Sequence, residues 1–94
     1  MDNGQQRAEL EVVIVNSQGL HARPVMKFVD LASQFQSAVT VHKGTLKVDG
    51  RSPMEMMLLE ATAGTRLRLV AEGSDATAAL AALSQLVAEK FNEE

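Results

Sequence analysis

The chain has 94 residues, 46% of them hydrophobic and 22% charged, with a formal charge of −3, which is the length and composition of one ordinary globular domain. It has no cysteine, which excludes a disulfide scaffold, a thiolate metal site and a cysteine nucleophile. Its only two histidines, His21 and His42, argue against a histidine-rich metal centre, so no metal is expected.

Met1 to Arg7 is polar and reads as a flexible start, with a single domain over residues 8–94. Glu9 to Val15 (ELEVVIV) is rich in β-branched residues and stops at Asn16-Ser17-Gln18-Gly19, a turn signal. This predicts a first strand. After Leu20-His21-Ala22-Arg23-Pro24, the residues Val25, Phe28, Val29, Ala32 and Phe35 recur on one face of a helix. Pro24 suits a first helical turn, where backbone N–H groups have no intrahelical partner.

Ala38 to His42 and Thr45 to Val48 are short strand-like runs joined at Lys43-Gly44 as a hairpin. Ser52-Pro53-Met54-Glu55 opens a short apolar helix to about Glu60. Its serine cap, proline at the first position and glutamate three residues after the cap form a capping-box signature. Arg66 to Glu72 alternates charge with Leu67 and Leu69, the pattern of a strand with one wet face. Ala76, Ala79, Leu80, Leu83, Val87 and Phe91 then mark a long amphipathic helix to about Asn92. The order β-α-β-β-α-β-α predicts an α+β fold. Its simplest form is a four-stranded antiparallel sheet with three helices on one face.

Neither a basic stripe nor an aromatic stacking platform is present, so no nucleic-acid partner is expected. The N-terminus lacks the pattern of a signal peptide, and no run approaches the ~18 apolar residues of a membrane span. The expectation is a small cytoplasmic monomer that inserts in no membrane. No cofactor motif is visible.

One segment carries chemistry. His21 falls at a helix start, where free N–H groups and the helix dipole bind anions, phosphate included. Arg23 adds a guanidinium fork that matches phosphate oxygens. A neutral imidazole nitrogen can attack a phosphoryl group and hold it as phosphohistidine. The alternative is that His21 is an exposed loop or capping residue. Ser52 reads from the residues alone as a helix cap. Met54 and Met57 read as exposed methionines of a core helix or as contacts for a partner, since methionine surfaces adapt to several shapes. His42 reads as a surface residue at a strand end, and Glu89, Glu93 and Glu94 as a solvated terminal face.

The hexapeptide Gly19-Leu20-His21-Ala22-Arg23-Pro24 resembles the active-site signature of the HPr family, the histidine-containing phosphocarrier proteins of the phosphoenolpyruvate-dependent sugar phosphotransferase system. The likeness runs from about Leu10 to Phe91 and implies that family's open-faced β-sandwich. It implies that His21 is phosphorylated by enzyme I and discharged to enzyme IIA domains, and that Arg23 contacts the phosphoryl group. Ala22, Pro24, Lys27, Arg51, Met54 and Met57 would then form the phosphate and partner surface, with Arg23, Lys27 and Arg51 ringing an apolar patch and steering acidic partners. Ser52 matches the serine modified by HPr kinase/phosphorylase, with Arg51 placed to pair with the phosphate. Gln18 stands where many members carry Asn or Ser to cap the helix. Asn16-Ser17-Gln18-Gly19 with Val25-Met26-Lys27 also looks like the nitrogen-related branch. A regulatory module acting through protein contacts is therefore the second function class. Such a carrier moves a phosphoryl group between partners and is an enzyme only in a loose sense.

Overall fold

The computed structural model describes residues 6–93. The elements in chain order are β1 (Gln6–Val13), α1 (Ala22–Ala32), β2 (Ala38–Lys43), β3 (Leu46–Asp49), α2 (Pro53–Met57), β4 (Arg66–Gly73), α3 (Ala76–Ala88) and a short 3-10 turn (Lys90–Asn92). The four strands form one sheet in the order β1-β4-β2-β3, and every neighbouring pair is antiparallel. The helices cover one face. This is the open-faced β-sandwich expected from the sequence.

Strand alternation separates the two faces, because successive side chains point to opposite sides. Leu10, Leu69, Val41 and Val48 lie side by side across all four strands, and the last three are buried beneath the helices. The adjacent row is Glu11, Arg68, His42 and Lys47, on the open face. Val25, Phe28, Val29 and Ala32 form the buried stripe of α1, and Leu80, Leu83 and Val87 that of α3. Asp75, just before α3, does not cap it. Its carboxylate instead accepts from the Gln36 and Ser37 amides, each at 2.9 Å, and from the Ser37 hydroxyl. That ties the start of α3 to the α1–β2 turn. Among the described residues, no helix is long and apolar enough to cross a membrane.

Four elements have a boundary that differs from the sequence reading by more than one residue. Gln6 and Arg7 belong to β1, which ends at Val13, while Ile14 continues outside the strand with backbone bonds to Gly64 and Thr65. The expected flexible start otherwise lies outside the described residues. Helix α1 stops at Ala32, which leaves Phe35 half-buried in a turn. Helix α2 is one turn and a half, because Glu60 adopts a left-handed φ of 47° that no α-helix continues through. Helix α3 ends at Ala88 rather than near Asn92. Lys90, Phe91 and Asn92 all have φ near +60°, at 58°, 55° and 59°, and they fold the chain back over the start of α1.

Candidate functional site

His21 occupies the N-cap of α1 with extended backbone, φ −91° and ψ −170°. The first helical bond runs from the Val25 amide to the His21 carbonyl at 3.0 Å. Pro24 has no N–H to satisfy. The amides of Ala22 and Arg23 have no partner among the described residues, no side chain caps the helix, and no acidic residue sits in its first turn. The imidazole therefore stands beside two free donors and the positive end of an 11-residue helix. Gln18, which stands where many family members carry a capping Asn or Ser, makes no side-chain hydrogen bond among the described residues and lines the cleft in front of His21.

The loop that presents His21 is fixed from below. Gly19 has φ +71°, and a Cβ there would lie 2.7 Å from the Ala61 carbonyl oxygen. Only glycine fits this approach, and it lets the Leu20 amide bond Ala61 at 2.8 Å. Asn16, fully buried, donates from Nδ2 to the Gly19 carbonyl at 2.6 Å.

A cleft of about 410 Å³ opens over His21, lined by Asn16, Ser17, Gln18, His21, Arg23 and Glu93. The Arg23 side chain is 73% exposed, and its Nε donates to Glu93 Oε1 at 2.8 Å. Lys27 Nζ donates to Glu93 Oε2 at 2.6 Å and to the Phe91 carbonyl at 2.7 Å. Hydrogen bonds from Lys27 and then Arg23 hold the Glu93 carboxyl below the usual carboxylate range, against an opposing effect of burial. Glu93 is thus not part of a solvated face, as the sequence suggested. Its side chain is only 10% exposed, because the left-handed turn brings it onto the site. Glu94 lies outside the described residues, and Glu89 is exposed and accepts from Gln85.

Next to the cleft, Ala22, Val25, Met26, Pro53, Met54 and Met57 line an apolar groove of about 200 Å³ between α1 and α2. Met54 is 83% exposed and Met57 also reaches solvent, while Met56 and Leu59 of the same segment are buried. Arg51 does not complete a cationic ring around this groove. Its guanidinium is committed to the carbonyls of Phe35 and Ser37, exposed by the early end of α1. That commitment stands against the expected pairing of Arg51 with a phosphate on Ser52. Ser52 caps α2, its Oγ accepting from the Glu55 amide at 3.2 Å. The reciprocal half of the capping box is absent, since Glu55 Oε1 accepts from Asp49 N instead.

His42 lies on the open face of the sheet, away from His21. Its Nδ1 is 3.4 Å from Arg68 Nη2 and its Nε2 is 3.3 Å from the Thr40 hydroxyl. The guanidinium has only protons to give, so Nδ1 accepts and Nε2 carries the hydrogen. Burial, then Arg68 and Lys47, push the His42 pKa below its ordinary value.

Two residues of the site escaped the sequence reading. Asn16 stood in a turn signal where Asn is common for many reasons, and only its burial marks it out. Glu93 follows a periodic apolar pattern that ends in Phe91, which reads as continuing helix. Nothing local announces three successive left-handed residues.

The chain matches the family model described as PTS HPr component phosphorylation site over residues 8–89. It is 41% identical to the phosphocarrier protein HPr of Treponema pallidum over 83 residues, covering 88% of this chain and 94% of that one. It is 39% identical to the phosphocarrier protein NPr of Shewanella violacea over 87 residues, covering 93% and 96%. The crystal structure of HPr-C-His from Thermoanaerobacter tengcongensis superposes with a TM-score of 0.89 at 42% identity, covering 93% of this chain and 98% of that one. With this fold and with a histidine at the N-cap of α1, the chain belongs to the HPr family, the phosphocarrier proteins that pass a phosphoryl group on a histidine within the phosphotransferase system.

Proposed function

We propose that His21 is the residue that carries the phosphoryl group, accepting it from phospho-enzyme I with phosphoenolpyruvate as its source and passing it to enzyme IIA domains for sugar uptake in the cytoplasm. The observation that carries this reading is the position of His21 at the N-cap of α1, beside the amides of Ala22 and Arg23, which have no partner among the described residues. A phosphoryl dianion on the imidazole would accept from those amides and from the Arg23 guanidinium. In the transfer, a lone pair on an imidazole nitrogen forms the P–N bond. The bond from phosphorus to the donor breaks, and its electron pair leaves with the donor. Return of the group to an acceptor is the same exchange run the other way.

The groove of Ala22, Met26, Pro53, Met54 and Met57 supports a docking role beside the nucleophile. Exposed methionines adapt to more than one partner, which suits a carrier that must engage a donor and then an acceptor. Arg23, which lines the neighbouring cleft, and Lys27 favour partners with an acidic patch. The charged carrier should lose its phosphoryl group on mixing with a cognate enzyme IIA domain. Retention of the group by a carrier that enzyme I has charged would refute the sugar-uptake role and leave the regulatory reading. In the same scheme Ser52, which matches the family's regulatory serine, is the acceptor for HPr kinase/phosphorylase, and a phosphate there would add charge at the start of the helix that supplies Met54 and Met57.

A further inference from the structure

Glu93 occupies the place where a phosphoryl group on His21 would seek its counter-charges. Its two oxygens take the side chains of Arg23 and Lys27, one each, at 2.8 and 2.6 Å. It lines the same cleft as His21. The segment that delivers it is not loosely laid down. Lys90, Phe91 and Asn92 are successive non-glycine residues in the left-handed region, an arrangement that persists only where the surroundings impose it. Two such constraints are visible. The Phe91 ring is fully buried in the core, and the Phe91 carbonyl accepts from Lys27 Nζ.

We propose that Glu93 is a resident counter-anion of the phosphoryl site, a positioning residue that acts through Arg23 and Lys27 and raises the tendency of the charged carrier to give its phosphoryl group away. The inference rests on His21 being the phosphorylated residue. In the uncharged carrier Glu93 satisfies both cations. In the charged carrier two anions share them, and like charges brought close repel. The uncharged state is therefore stabilised relative to the charged one, and discharge is favoured over retention. Glu93 also holds Arg23 and Lys27 beside the nucleophile before any donor arrives.

The test is a direct competition between two carriers. Isotopically heavy wild-type chain and light Glu93→Gln chain are mixed in equal amounts with limiting phosphoenolpyruvate and a catalytic amount of enzyme I, which exchanges the group in both directions. Intact-mass spectrometry then reads the phosphoryl group on each. Partly screened ion pairs are worth little, so the expected bias toward Glu93→Gln is about two- to fivefold at low salt. Glu93→Asp, which keeps the charge, should move the ratio back toward one, and added salt should narrow the bias. A merely structural contact would alter melting without moving this ratio. Equal sharing, or accumulation on the wild-type chain, would overturn the role of Glu93 alone. A wild-type chain that takes no group from enzyme I would overturn the reading of His21 as well.

Discussion

Asn16 and Gly19 are tied to each other twice. The Asn16 side chain donates to the Gly19 carbonyl at 2.6 Å, and the Gly19 amide donates to the Asn16 carbonyl at 3.0 Å. The pair closes the turn between β1 and α1 and sets the height at which His21 meets the helix start. Asn16 Oδ1 is buried and has no hydrogen-bond partner among the described residues.

Asn16→Ala should therefore cost about 1–3 kcal/mol, since the Gly19 carbonyl loses its side-chain donor. Gly19→Ala should also destabilise, because a Cβ would sit 2.7 Å from the Ala61 oxygen. Chemical denaturation measures both. Wild-type midpoints in both variants would show that the turn is not held as described.

Arg23→Ala should slow phosphoryl transfer from enzyme I several-fold and change stability by less than about 1 kcal/mol, the usual scale for an exposed ion pair. The side chain is mostly in solvent, and among the described residues its one ion pair is to Glu93. Stopped-flow transfer rates and a melting curve on the same sample separate the two effects. A large fall in melting temperature with an unchanged rate would make Arg23 structural.

Ser52 answers to two demands that different substitutions separate. Ser52→Ala removes the acceptor for the Glu55 amide and should cost about 1 kcal/mol while leaving the transfer rate unchanged. Ser52→Asp keeps a cap but adds charge at the base of the methionine groove, and should slow association with enzyme I at low salt. Equal transfer rates for both variants would reduce Ser52 to a cap.

Acid should weaken the fold through His42. Its pKa lies below the ordinary 6.5 in the folded state, from burial first and Arg68 second. Between the two values the unfolded chain binds the extra proton. Stability is thus fully present above pH 6.5, falls as pH drops below it, and levels off once folded His42 also protonates. His42→Gln should remove that component from a denaturation series run across this range. An NMR titration placing His42 at or above 6.5 would contradict the account.

Most of this architecture is written in local pattern. Val39 and Val41, alternating with Thr40 and His42, specify which face of β2 is buried. Val25, Phe28, Val29 and Ala32 specify the inner stripe of α1. His21 and Arg23 sit in one hexapeptide, so their joint position follows from a single helix start. What local pattern does not carry is long-range return of the chain. Glu93 reaches Arg23 across 70 positions, through a left-handed turn that the burial of Phe91 stabilises. Arg51 likewise finds carbonyls freed by the end of a different helix. Both depend on where elements stop, which is the part of a fold that propensity specifies least.

The central claim is that His21, and not His42, carries the phosphoryl group. Incubation with phosphoenolpyruvate and enzyme I, followed by intact-mass spectrometry, tests it most directly. The wild-type chain and His42→Ala should each gain one phosphate that is stable in base and lost in acid, and His21→Ala should gain none. Full labelling of His21→Ala would contradict the account.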